Sequence, residues 1–110
     1  MKQEDAAIRL AELGNTTRLS IFRYLVKAGH GGAPVGQIQK ELRIPNSTLS
    51  HHLRRLVFVG LIRQVRKSRI LLCVPQYEVL NELIDFLKSE CCTGVGDERY
   101  KLGKGRKKKG

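Results

Sequence analysis

The sequence predicts a mainly α protein with a small β-hairpin wing, an α+β winged helix-turn-helix of about five helices and two strands. Three observations lead there. Two short segments with helical spacing, beginning at Val35 and at Asn46, are joined by the tight connection Arg43-Ile44-Pro45-Asn46. After Gly60 the apolar period changes to two. Helical spacing then returns from Tyr77.

The elements follow in order. Residues 4–13 place Ile8, Leu10, Ala11 and Leu13 on a wide apolar stripe, the mark of a short helix. Asn15, after Gly14, is a suitable N-cap for a second helix over residues 17–28, with Leu19, Ile21, Phe22, Leu25 and Val26 on one broad face. Gly29, Gly31 and Gly32 end it. Val35, Ile38 and Leu42 fall at i, i+3 and i+7, which gives two helical turns. Asn46 or Ser47 caps the next helix, whose Leu49, Leu53, Leu56 and Val57 face inward down to Gly60. Strands over residues 61–65 and 69–74 flank a basic tip, Arg66-Lys67-Ser68, and Pro75 closes the hairpin. A last helix over residues 77–90 carries Leu80, Leu83, Ile84 and Leu87 in one stripe, widened by Val79 and Phe86. An apolar surface that broad covers more than one neighbour, so the first and last helices are expected to form a homodimer contact.

The chain has 110 residues, enough for one domain with a thin core, here placed at residues 1–92. Residues 93–110 read as a flexible basic tail dominated by glycine and lysine. The formal charge is +11, and residues 99–110 hold seven Lys or Arg and no acid. A basic body with a more basic tail suits a polyanion, because each neutralised phosphate releases counterions. The tail suits phosphate tracking and simple solubility equally. No apolar run reaches the ~18 residues of a membrane span and no apolar signal segment leads the chain, so a cytoplasmic protein is expected. Three cysteines, Cys73, Cys91 and Cys92, make a disulfide framework a poor expectation there.

With Leu49, Leu53 and Leu56 inward, helical geometry turns Ser47, Thr48, His51, Arg54 and Arg55 outward, with Ser50 and His52 on the flanks. That face is rich in donors and cations and has no acid. It fits the major groove of double-stranded DNA, where Arg reads guanine edges and Ser, Thr and His bond to bases or phosphates. Arg66, Lys67 and Arg69 at the hairpin would grip neighbouring backbone. Such a face is ordinarily just solvated; its position after a tight turn and before a basic hairpin makes DNA the better reading. The adjacent His51 and His52 point about 100° apart on a helix and have no further ligands at useful spacing, so zinc is not assigned to them. No nucleophile triad, phosphate loop or hydrolase metal spacing is present, and an enzyme is not expected. Stacking aromatics for RNA are lacking as well.

Three segments carry a resemblance. Leu13-Gly14-Asn15-Thr16-Thr17-Arg18-Leu19-Ser20-Ile21, then Ser47-Thr48-Leu49-Ser50-His51-His52-Leu53-Arg54-Arg55-Leu56, then Gly60-Leu61-Ile62 resemble the ArsR/SmtB family of winged-helix repressors, with the likeness running over about residues 5–90. The resemblance implies a homodimer whose paired helices enter successive major grooves of an inverted-repeat operator, about one helical turn apart. It also implies an inducer that weakens DNA affinity.

The family places its sensing sites in different helices. Zinc and cobalt sensors use Asp, His and Glu on the last helix; here Glu78, Glu82, Asp85 and Glu90 have no histidine beside them. Other sensors of arsenic, cadmium or lead carry a cysteine pair in the first helix of the motif, and persulfide sensors carry a cysteine in the second helix; both are lacking here. Cys91-Cys92 resembles the vicinal pair that arsenic-responsive members carry at the end of the last helix. Soft thiolates suit trivalent arsenic, provided the helix ends or unwinds there so that both sulfurs reach one atom. Arsenite prefers three thiolates, but Asp97 and Glu98 stand where a third cysteine is often found. A monosubstituted arsenical such as methylarsenite, needing only two, is therefore the favoured inducer, and no resident cofactor is expected. Thiol oxidation, another soft metal, or no small-molecule ligand are the alternatives. Cys73, within Leu71-Leu72-Cys73-Val74, reads as a small core residue.

Overall fold

The computed structural model describes residues 1–95. Five helices and three strands follow the order α1 (Gln3–Leu13), α2 (Thr16–Ala28), β1 (Ala33–Pro34), α3 (Val35–Leu42), α4 (Asn46–Phe58), β2 (Ile62–Lys67), β3 (Ile70–Pro75) and α5 (Tyr77–Lys88). The winged helix-turn-helix expected from the sequence is what forms. Asn15 caps α2 as expected, its side-chain oxygen accepting from the Arg18 N–H at 3.0 Å. The core is the joint product of these elements: Ile21, Phe22 and Leu25 of α2, Ile38 of α3, Leu49, Leu53 and Leu56 of α4, and Leu61 and Ile62 at the start of the wing. Cys73 is fully buried among them, as a core residue should be. Burial pushes its thiol pKa up.

Several boundaries differ from expectation. The sheet has a third strand, β1, and its order is β1-β3-β2, all antiparallel. Ala33 pairs with Cys73 and Pro34 with Leu72. Two residues have no period to read, and the glycines before them look like a helix terminus. Gly32 lets β1 dock. Its φ is +71°, and a Cβ there would overlap the carbonyl of Cys73. The hairpin reaches further than expected, with Arg66 and Lys67 in β2 and a two-residue loop of Ser68 and Arg69. Ser68 takes the positive φ, 58°, that the tight turn requires.

α4 is not capped by Asn46 or Ser47. It starts at Asn46, Pro45 occupies the cap position, and no side chain caps it. Arg43 in the left-handed region (φ 54°) closes α3, and the Pro45 carbonyl accepts from Leu49 N–H at 2.9 Å, which moves the helix start one residue earlier. α5 ends at Lys88 rather than residue 90.

The first and last helices bury little. Ala6 alone is buried in α1 and Leu83 alone in α5. Ile8, Leu10, Ile84 and Leu87 are exposed, and so is Val57, expected inside. Tyr77 fastens the start of α5, its hydroxyl donating to the Val26 carbonyl at 2.7 Å. Of the expected tail, residues 96–110 lie outside the described residues.

Candidate DNA-binding surface

α4 presents the expected face. Leu49, His52, Leu53 and Leu56 are buried, while Ser47, Thr48, Ser50, His51, Arg54 and Arg55 are exposed. Its first turn contains no acid and no side-chain cap, so the positive end of the helix and its unpaired N–H groups remain available to an anion. Arg66, Lys67 and Arg69 are exposed at the far end of the wing. Lys40 in the last turn of α3 and Arg43 at its C-cap are exposed too. They add cationic side chains beside the N-terminus of α4 that the helical pattern did not single out.

Two members of the expected set behave differently from their neighbours. His52, placed on a flank from spacing alone, is turned into the domain. Arg18 Nη1 lies 3.0 Å from its Nδ1. Guanidinium nitrogens only donate, so Nδ1 accepts and the imidazole is neutral. Its pKa is lowered, first by burial and then by the positive charges of Arg18, His51 and Arg55. His51 faces out, and the two rings tilt 57° to one another at 5.5 Å. Arg55 is exposed but already engaged, its Nε and Nη2 donating to the two carboxylate oxygens of Glu12 at 2.7 and 3.0 Å. The same carboxylate lies 3.2 Å from Arg18 Nε. The hydrogen bond from Arg55, with both guanidinium charges, lowers the pKa of Glu12. Arg54 is exposed on the same helix.

Sequence reasoning missed Glu12 and Arg18. Arg18 lies within the first of the three matching segments, but nothing local links Glu12 to a residue 43 positions on.

The cysteine pair lies just past α5. The helix ends three residues before Cys91, and Glu90 (φ 60°) and Cys92 (φ 64°) both take left-handed backbone. This unwinding brings the exposed Cys91 and Cys92 sulfurs to 3.2 Å. Among the described residues, no group of three or more His, Cys, Asp or Glu is placed to hold a metal ion. Nor, among them, is any helix long and apolar enough to cross a membrane.

The three-helix core, the α3-turn-α4 unit and the basic hairpin define a winged helix-turn-helix protein. A family model described as a helix-turn-helix domain matches residues 13–65. Over 90 residues the chain is 31% identical to YbzH, an uncharacterized HTH-type transcriptional regulator of Bacillus subtilis (strain 168), covering 71% of this chain and 90% of that one. The transcriptional repressor PagR of Bacillus anthracis is 28% identical, with a TM-score of 0.62 over 76% of this chain and 93% of its own. An ArsR-like transcriptional regulator from Rhodococcus sp. RHA1 shares the fold, with a TM-score of 0.69, 22% identity and 77% coverage of each chain. The chain belongs to the HTH-type transcriptional regulators, a DNA-binding and non-enzymatic family, and its winged-helix fold is ArsR-like.

Proposed function

We propose that this regulator is a cytoplasmic repressor of the ArsR/SmtB kind, which binds an inverted-repeat operator as a homodimer and is released by a trivalent arsenical captured at Cys91 and Cys92. The observation that carries the DNA reading is the outer face of α4: six exposed polar or cationic side chains, no acid, and an uncapped N-terminus. A helix of that kind is about as wide as the major groove. Ser47, Thr48, Ser50, His51 and Arg54 would meet bases and phosphates there, while Arg66, Lys67 and Arg69 would hold flanking backbone. Repression is supported by the likeness to PagR, whose description is that of a repressor.

Dimerisation is supported by apolar side chains that one copy leaves in water. Ile8 and Leu10 on α1, and Ile84 and Leu87 on α5, are each 40% exposed or more. Completing the burial of a half-exposed aliphatic side chain contributes roughly 1 kcal/mol, and an isologous contact presents each such side chain twice.

The inducer reading rests on sulfur spacing. At a thiolate bond of about 2.3 Å, a separation of 3.2 Å subtends about 90° at the bound atom. A three-coordinate pyramidal centre with a lone pair takes such an angle, whereas zinc prefers the wider tetrahedral one. Two thiols suffice for methylarsenite, each displacing one hydroxyl as water. The capture would fix the backbone directly after α5, beside the proposed subunit contact.

The test is fluorescence anisotropy of a duplex selected from random DNA by the protein, titrated in parallel with arsenite, methylarsenite, zinc and peroxide. Methylarsenite should release the DNA most readily, with a coupling of about 1–3 kcal/mol. The Cys91→Ser/Cys92→Ser variant should bind DNA as before and ignore the arsenical. Release of that variant by methylarsenite would rule out the site, and release of the unaltered protein by peroxide alone would favour thiol oxidation instead.

A further inference from the structure

Apolar packing holds α1 through few side chains, with Ala6 buried and Leu13 partly buried against the core. Its junction with α4 is polar. Arg9 Nε donates to the Val59 carbonyl, at the C-terminal end of α4, at 2.8 Å. Three residues along α1, Glu12 accepts the fork from Arg55. Arg18 of α2 backs the same carboxylate and its Nε donates to the Glu12 carbonyl at 2.8 Å, while its Nη1 reaches His52. The three partners, His52 and Arg55 on α4 and Val59 at its C-cap, stand at i, i+3 and i+7. They form one polar seam along the flank of the helix.

Such a seam constrains differently from an apolar one. Apolar burial is non-directional, but a two-bond pair between guanidinium and carboxylate fixes the mutual orientation of both planes. The buried end is Glu12, whose side chain is 13% exposed against 48% for Arg55. The carboxylate, anchored a second time by Arg18, therefore holds the arginine. Two of the three guanidinium nitrogens of Arg55 are turned to α1.

We propose that Glu12 is a positioning residue for DNA recognition: through Arg55 it holds α4 at the inclination its outer face needs to enter the groove, and Arg55 serves as part of this strut rather than as an independent DNA contact. The proposal rests on the reading that α4 enters the groove. Because α1 also carries the exposed Ile8 and Leu10, the strut joins the groove-reading helix to the helix assigned above to the subunit contact.

A double-substitution cycle tests this on the full chain, with Glu12→Gln, Arg55→Gln and the two combined. Affinities for the selected duplex and for an unrelated duplex are measured over a range of salt, with melting temperatures alongside. Each single substitution should weaken selected-duplex binding by about tenfold, and the pair by no more than either alone, because both remove one interaction. Affinity for the unrelated duplex and the salt slope should not change. Multiplying effects would make Arg55 an independent DNA contact and overturn the proposal. Unchanged or tighter binding by Glu12→Gln, with a salt slope steeper by about one phosphate, would overturn it too, by showing that Glu12 withholds Arg55 from DNA. So would a lowered melting temperature with both affinities intact. Arg55→Lys, which keeps the charge but cannot fork, should lose selectivity as Arg55→Gln does; wild-type selectivity in that variant contradicts the strut. An unaltered protein that does not distinguish the two duplexes refutes the groove reading itself.

Discussion

Acidification from neutral pH should loosen this domain first through His52. Its Nδ1 accepts from Arg18 at 3.0 Å, so a proton there replaces a hydrogen bond with two donors facing each other. Burial, then Arg18, His51 and Arg55, depresses its pKa below the ordinary histidine value of 6.5. The unfolded chain therefore binds a proton that the folded one refuses. Stability falls as pH drops below that ordinary value and goes on falling down to the depressed folded pKa. The loss has a ceiling set by the unfolded state alone. Between about pH 7.5 and about pH 5.5 it cannot exceed ~1.4 kcal/mol, however far the folded pKa lies below. In a domain of this size that corresponds to at most about 6–11 °C in melting temperature. Glu12, with its own pKa lowered, acts lower down, its contribution being lost only as pH falls below the ordinary carboxylate value of 4.5. The assay is thermal unfolding followed by circular dichroism at fixed protein concentration, since the proposed dimer would melt in a concentration-dependent way. His52→Asn supplies an oxygen near the position of Nδ1 that does not titrate. The variant should lose most of the pH slope while the unaltered protein keeps it. Equal slopes in the two proteins would refute the assignment of the neutral, accepting imidazole.

Two other perturbations have expected outcomes. Gly32→Ala places a Cβ on the Cys73 carbonyl at a φ of +71° and should cost about 2–4 kcal/mol in urea unfolding; a change under about 0.5 kcal/mol would mean that β1 docks otherwise. Arg54→Ala should weaken binding to the selected duplex by about 1–3 kcal/mol and relax preference at one base pair, whereas uniform weakening across all sequences in anisotropy would make Arg54 a phosphate contact.

Much of the fold was legible because it is written in local period and capping. The stripe of Leu49, Leu53 and Leu56 defined the buried side of α4, and Asn15 marked the start of α2 three residues from the N–H it caps. Legibility stopped where pairing is long-range or too short to repeat. β1 has two residues and shows itself only in its register with Cys73 and Leu72. His52 looked like a flank residue because spacing alone cannot foresee Arg18 arriving from another helix. The pairing of Arg55 was hidden for the same reason, its carboxylate partner lying in α1. The broad apolar surfaces of α1 and α5 were visible in the sequence, and the structure adds that one chain leaves much of both uncovered. The vicinal cysteines were visible in the sequence, but the 3.2 Å separation of their sulfurs depends on two left-handed backbone positions that spacing does not disclose.

In the proposed binding mode the outer face of α4 enters the major groove. Methylation protection with dimethyl sulfate tests it most directly, because the reagent attacks guanine N7 in the major groove and adenine N3 in the minor groove. Bound protein should shield guanines in two patches about one helical turn apart, and Arg54→Ala should lose part of that shielding. Protection confined to adenines, or guanines that react as in free DNA while the protein is bound, would contradict the account.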